Sequence, residues 1–232
     1  SDEAGGELTK FVGMVRIGNR LVVSTESQAL YYDAVTGNIL DKQRIDRVVN
    51  TRPAIVGDIL AYGTNNGEVI GHLARSGYRL WGATLSGSIT RRPVPVGDDG
   101  TLGVVSDGGE VLLIQGASGL GIGRNRMFGG STAELAASDE ALFVASTDQS
   151  LYAFSKLGAS QNWRIRTESP LRFAPTYSDG RVYCDLGPGR GISAIDAQSG
   201  RVLWNNDKAT GSVVALRNKR LVTFDGAGNA ST

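Results

Sequence analysis

The chain has 232 residues, of which 32 are Gly and only 6 are Pro, and its 24 Lys+Arg against 23 Asp+Glu leave a net charge of +1. That balance gives no bulk reason to expect nucleic acid or an acidic membrane as partner, and the 41% hydrophobic content is enough for a sizeable core rather than a disordered tail. A single cysteine (Cys184) and a single histidine (His72) exclude an internal disulfide, a multi-cysteine metal site and a two-histidine metal site. The longest apolar run, Ala141 to Ala145, is far too short to cross a bilayer. The polar opening, Ser1 to Gly6, is not a signal peptide and reads as a flexible N-terminal segment ahead of one domain over residues 7–232.

Taken in chain order, the elements are short strands punctuated by Asn, Asp and Gly. The first period turns at Asn19 and closes at Gly37. The second reads as strands Pro53 to Val56, Ile59 to Gly63, Glu68 to Ala74 and Tyr78 to Leu85, with turns at Asp58, Asn65-Asn66-Gly67 and Ser76-Gly77. The third turns at Asp99 and Gly119, the fourth at Asp139 and Gly158. The fifth reads as Phe173 to Tyr177, Arg181 to Asp185, Gly191 to Asp196 and Arg201 to Trp204. A sixth begins with Ser212 to Leu216 and Leu221 to Phe224, around a turn at Asn218. Both ladders, Asn19–Asp58–Asp99–Asp139–Asp179–Asn218 and Gly37–Gly77–Gly119–Gly158–Gly200, keep a period of about 40 residues. No ten-residue stretch carries helical periodicity.

Four hairpin-linked strands per period of about 40 residues describe a β-propeller blade. A lone four-stranded sheet with two apolar faces buries both only by stacking against neighbours around an axis. The expected fold is all-β: one propeller with five recognisable blades and part of a sixth. The first strand of each blade should lie innermost and the fourth outermost. The count does not close a ring, so either the chain is a fragment of a larger one, or a further segment or a second chain completes it. Residues 7 to 12 could supply one strand to a last blade, but not the remaining two.

The repeat resembles a known family on particular residues. Third strands read Ser150-Leu151-Tyr152-Ala153-Phe154 and Ile192-Ser193-Ala194-Ile195-Asp196. Fourth strands read Ser76-Gly77-Tyr78-Arg79-Leu80-Trp81 and Ser199-Gly200-Arg201-Val202-Leu203-Trp204, with Trp163 at nearly the same offset from Gly158. This pattern is similar to the PQQ-like propeller repeat. The family includes quinoprotein dehydrogenases and noncatalytic propellers such as the scaffold lipoprotein of the outer-membrane β-barrel assembly machinery. The resemblance implies an eight-bladed ring, an extracytoplasmic location in the periplasm or envelope, and tryptophans that dock between blades, here Trp81, Trp163 and Trp204. Asp41 and Gly123 replace the tryptophan in the first and third periods, so those two seams should pack differently.

Quinoprotein catalysis, as the resemblance implies it, needs a quinone, Ca²⁺, a catalytic Asp and, in many members, a vicinal cysteine pair. The pair is impossible here, and no acidic cluster has calcium-loop spacing. Asp98-Asp99-Gly100 and Asp225 to Asn229 read as turns, Gly187-Pro188-Gly189-Arg190-Gly191 as an expanded second-to-third-strand turn, His72 as a strand histidine without a nominated partner, and Cys184 as a buried thiol. No catalytic, cofactor or metal residue is assigned.

Arginine offers the remaining candidate. Arg52, Arg92 and Arg172 stand six or seven residues before the first-strand turns of blades two, three and five, where they should open the innermost strands, and Arg91 adjoins one of them. Equivalent positions in a propeller share one mouth of the central channel. Guanidinium groups there could hold a carboxylate or an acidic partner loop. The bland alternative is a solvated rim paired by neighbours such as Glu134 or Glu168. The outer strands also carry Lys42, Arg44, Arg79, Arg124, Arg126, Arg164 and Arg166, which discourage edge-to-edge pairing and also suit an acidic partner. The favoured reading is a noncatalytic scaffold for protein partners, without cofactor and without nucleic acid. Two other readings are a fragment of a quinone-dependent oxidoreductase and a sensor binding a small anion at the channel mouth.

Overall fold

The computed structural model describes residues 10–217, 220–225, 230 and 231. Among them there is no helix. Five sheets are four-stranded antiparallel meanders: β1 (Phe11–Ile17) to β4 (Ile39–Arg44) through β2 (Arg20–Thr25) and β3 (Gln28–Asp33); β5 (Ala54–Val56), β6 (Ile59–Gly63), β7 (Glu68–Leu73) and β8 (Arg79–Thr84); β9 (Val94–Pro95), β10 (Thr101–Val105), β11 (Glu110–Gln115) and β12 (Gly121–Arg126); β13 (Ala136–Ala137), β14 (Ala141–Ser146), β15 (Ser150–Ser155) and β16 (Gln161–Arg166); β17 (Thr176–Ser178), β18 (Arg181–Asp185), β19 (Ile192–Asp196) and β20 (Val202–Asn206). A sixth sheet has β21 (Ser212–Arg217), β22 (Arg220–Phe224) and a short β23 (Ala230–Ser231), one strand more than the sequence pattern suggests. Residues 11 and 12 belong to β1 of the first blade, paired with β2, and are not spare material for a last one. The expected turn at Asn218, residues 226–229 and the N-terminal segment 1–6 fall outside the described residues.

The sheets are blades. The short inner strands β5, β9, β13, β17 and β21 neighbour one another in succession. The core is divided among the seams: Val22, Tyr31, Leu60 and Ile70 between blades one and two; Ala61, Val69, Leu102 and Leu112 between two and three; Val105, Leu113, Leu142 and Val144 between three and four; Phe143, Leu151, Val182 and Ile195 between four and five. Side chains alternate between faces along a strand. Leu60 therefore serves one seam and Ala61 the next, which is why β6 and β14 are buried at every position. A half-buried strand would have alternated polar and apolar.

The glycine ladder has two causes. Gly37, Gly77, Gly119, Gly158 and Gly200 all close third-to-fourth-strand turns with φ between 65° and 92°, a region that penalises any Cβ. All but Gly37, which lies in the first blade, also receive the outer strand of the preceding blade. A Cβ on Gly119 would sit 2.7 Å from Trp81, and one on Gly200 2.7 Å from Trp163. The indole N–H of Trp81 donates to the Gly116 carbonyl at 2.8 Å, and that of Trp163 to the Ala197 carbonyl at 2.9 Å. Beneath each indole lies a small cross-strand partner, Gly71 under Trp81 and Ala153 opposite Trp163; a Cβ on Gly71 would fall within the Trp81 ring.

The two seams without tryptophan reverse the sizes. Tyr31 stands opposite Asp41, and Leu113 opposite Gly123. An amide two residues further on then reaches the next blade. Asn125 donates to the Ala159 carbonyl at 2.8 Å, and Gln43 lies over Gly77. Gly123 itself abuts the backbone of Gly158. Trp204 departs from the expectation of burial: it is 40% exposed, against 8% for Trp81 and Trp163. Its cross-strand partner Ala194 is suitably small. Among the described residues the sixth sheet has no third-to-fourth-strand turn to cover this indole as Gly116 and Gly119 cover Trp81.

Candidate functional site

An antiparallel meander sends strands one and three in one direction and two and four in the other. The linkers from outer strand to next inner strand and the second-to-third-strand turns therefore share one face of the arc. That face is braced by repeated hydrogen bonds. The backbone N–H groups of Ile45, Leu85, Met127 and Thr167 donate to the carbonyls of Ser27, Gly67, Gly109 and Gln149, at 2.7 to 2.9 Å. Between blades two and three, the Thr90 hydroxyl donates to Asp107 at 2.6 Å, and the Asp107 N–H donates to the Ser88 carbonyl at 2.8 Å.

All four sequence-nominated arginines ride on these linkers. Arg52, Arg92 and Arg172 precede their inner strands β5, β9 and β17 rather than opening them, because the inner strands are shorter than the sequence suggests. Arg52 is exposed and its stem packs on Gly13 of β1. Arg91 and Arg92 are half-buried, and the Nε of each is buried without a hydrogen-bond partner. Burial holds the Arg92 guanidinium below its ordinary value, and Arg52 beside it lowers it further, while Glu134 acts in the opposite direction. Arg92 thus feels the charge of Arg52 and, in the opposite sense, that of Glu134 on the linker into blade four. Among the described residues none of the four makes an ion pair within 4.0 Å.

Arg172 lines a cleft of about 410 Å³ with Leu171, Phe173, Pro188, Asp207 and Thr210. Asp185, 5% exposed, organises its floor. Its carboxylate accepts the N–H of Gly187 at 2.8 Å, that of Gly211 at 2.9 Å and the Thr210 hydroxyl. The run Gly187 to Gly191, nominated as an expanded turn, forms one wall, with Gly187, Gly189 and Gly191 all at positive φ. The sequence reading missed Asp185 and the linker-bracing Asp107. Asp185 ends β18 and Asp107 lies in the turn between β10 and β11, and only the partners that converge on them mark them out.

The other nominated groups have local roles. The His72 Nδ1–H donates to the Gly77 carbonyl at 2.8 Å, and Nε2 lies 3.9 Å from Asp46 without a hydrogen bond. Burial pushes this imidazole below its ordinary value of 6.5. The Cys184 thiol is buried, which pushes its pKa far up, with Asp185 adding to the shift. Asp99 pairs with Lys156 at 2.9 Å and accepts the Thr101 N–H at 3.2 Å. Among the described residues no three His, Cys, Asp or Glu side chains gather as a metal site.

A family model described as outer membrane protein assembly factor BamB matches residues 65–157 and, overlapping, 121–230. The chain belongs to this family of PQQ-like β-propellers. The crystal structure of BamB from Moraxella catarrhalis superposes with a TM-score of 0.69 at 15% identity, covering 83% of this chain and 63% of that one. The computationally designed Ika8 protein superposes with a TM-score of 0.65 at 13% identity, covering 94% of this chain and 81% of that one. At these identities the superpositions establish the propeller fold alone. A stretch of 78 residues is 35% identical to U3 small nucleolar RNA-associated protein 21 of Saccharomyces cerevisiae, 33% of this chain and 8% of that protein. The chain spans less than two thirds of the length of the BamB structure and a small part of the yeast protein. No helix among the described residues is long and apolar enough to cross a membrane.

Proposed function

We propose that this BamB-family chain is a noncatalytic scaffold of the cell envelope, acting in outer-membrane protein assembly. In this reading it docks an acidic segment of a protein partner on the linker face through Arg52, Arg91, Arg92 and Arg172. The observation that carries the reading is the family match, which spans most of the chain. The arginines supply the chemistry. Cations held close together without ion-pair partners repel one another, and an incoming carboxylate relieves that repulsion most where water is partly excluded. Arg92, half-buried beside Arg52, fits this description best.

The test is a titration with a polyglutamate peptide at two ionic strengths. Binding should weaken with salt, and the Arg52→Ala, Arg172→Ala double variant should lose it without a change in melting temperature. Unchanged binding by that variant would remove the site. The anion-sensor reading draws on the cleft beside Arg172, and citrate or sulfate in place of the peptide tests it. The oxidoreductase reading predicts tight binding of pyrroloquinoline quinone in the presence of Ca²⁺; the scaffold reading predicts none by calorimetry or absorbance.

A further inference from the structure

Each blade hands the chain to its linker at one register position, two residues after its outer strand ends. That position is Asp46, Ser86, Phe128, Glu168 and Lys208 in blades one to five. Four of the five are polar, as an exposed position on a braced face should be. Phe128 is 87% exposed, the largest exposure among the large apolar side chains of the described residues.

The ring is also held in place. The Phe128 N–H donates to Asp148 Oδ2 at 3.1 Å, and the same oxygen accepts the Tyr152 hydroxyl at 2.6 Å. The Arg164 guanidinium lies 5.5 Å from the Phe128 ring centroid and 5.0 Å from that of Tyr152. Arg164 is fixed in turn by the Ser150 hydroxyl at 2.8 Å and by Asp148 at 3.7 Å. One face of the phenyl ring is therefore backed by a cation, and the rest of it is presented to solvent. A preorganised, exposed aromatic backed by arginine has the composition and low ordering cost of an interface hot spot.

The surrounding charge selects the partner. Arg126 and Arg166 end the outer strands of the two blades that meet at this seam, and both are exposed. The other cations of the strands β8, β12 and β16 are engaged: Arg79 with Glu68 and Asp46, Arg124 with Glu110, Arg164 with Asp148. Arg126 and Arg166 make no ion pair among the described residues. We infer that Phe128, together with the exposed Arg126 and Arg166 that end the outer strands of the two blades, is a docking point for an acidic protein segment that presents an aliphatic or aromatic side chain to the ring. This surface lies at the seam of blades three and four, on a different linker from Arg52, Arg91, Arg92 and Arg172.

The experiment uses the 232-residue chain and a phage-displayed library of random dodecapeptides. Selection on the unmodified chain, with counter-selection on Phe128→Ser, should enrich peptides with a large apolar residue next to Asp or Glu. Phe128→Ser reproduces the residue of blade two at this position and should leave the melting temperature unchanged. A selected peptide, followed by fluorescence anisotropy, should bind Phe128→Ser at least about tenfold more weakly, the loss expected for a central hot spot. It should bind Arg126→Ala, Arg166→Ala more weakly with a smaller salt dependence, and should bind Phe128→Tyr nearly as well as the parent. Three results overturn the inference. One is the absence of any peptide that distinguishes the parent from Phe128→Ser. A second is equal loss in the Arg52→Ala, Arg172→Ala variant, which would place the peptide at those arginines instead. The third is Phe128-dependent binding to phosphatidylglycerol vesicles without peptide selectivity, which would make the surface a lipid contact.

Discussion

Replacing Trp81 and Trp204 by alanine in parallel isolates what a neighbouring blade contributes to an otherwise identical side chain. Both stand opposite a small residue on the third strand, Gly71 and Ala194. Trp81 is 8% exposed and Trp204 is 40% exposed. A tryptophan buries roughly 200 Å². A third of that area, at about 25 cal/mol per Å², comes to about 1.6 kcal/mol. Trp81 also donates to the Gly116 carbonyl at 2.8 Å, a bond that contributes about 1 kcal/mol. Its removal leaves a cavity closed by Gly119 and the Leu102–Leu112 face of blade three, and buried tryptophan truncations cost about 3–5 kcal/mol. The expected result is that Trp81→Ala is less stable than Trp204→Ala by about 2–3 kcal/mol, a gap of roughly 4–12 °C in melting temperature for a chain of this size. Urea and thermal melts of both variants provide the measurement. Fluorescence offers a second readout, because acrylamide should quench Trp204 well before Trp81 and Trp163. Equal losses, or a larger loss for Trp204→Ala, would refute the account of the seam as a tryptophan closed over by the next blade's turn.

Gly71→Ala should destabilise the chain because its Cβ falls within the Trp81 ring, and the penalty should shrink in a Trp81→Ala background; a double-mutant cycle by urea melts should give a coupling of about 0.5–3 kcal/mol. His72 is buried with its pKa held below 6.5, chiefly by desolvation. The unfolded chain therefore takes up the proton first, and this contribution to stability is complete above about pH 6.5 and lost as pH falls towards the folded value. Melts at pH 7, 6 and 5 should show a smaller loss in His72→Gln than in the parent. Cys184, buried and with its thiol pushed far up, should resist Ellman's reagent in the native chain and react fully in guanidinium, where the thiolate becomes accessible.

The blade repeat was legible because each of its requirements acts locally. A glycine that closes a turn at positive φ, an Asp or Asn that opens one, and strands apolar on both faces all leave marks about 40 residues apart. The functional face was legible only in part. The spacing placed Arg52, Arg92 and Arg172 at equivalent positions opening inner strands, but it could not show that they ride on the linkers instead, that Arg92 feels the charge of Arg52, or that Arg172 lines a cleft with Asp185 and Asp207. Nor could it show that Gln43 and Asn125 take over the reach of the missing tryptophans, although an amide two residues past each absent tryptophan was there to be read.

The sequence by itself determined the strand order, the period, the identity of the turn glycines and the register of the tryptophans, since each depends on backbone conformation or cross-strand pairing within one blade. Burial at the seams and company on the linker face were decided only by the tertiary structure. The same motif, Leu-Trp after Ser-Gly, yields a sealed indole at Trp81 and a half-open one at Trp204, because what covers it comes from the next blade, about 35 residues further along the chain. The exposure of Phe128 likewise depends on Asp148, Tyr152 and Arg164, which reach it from the strands and turns of the following blade.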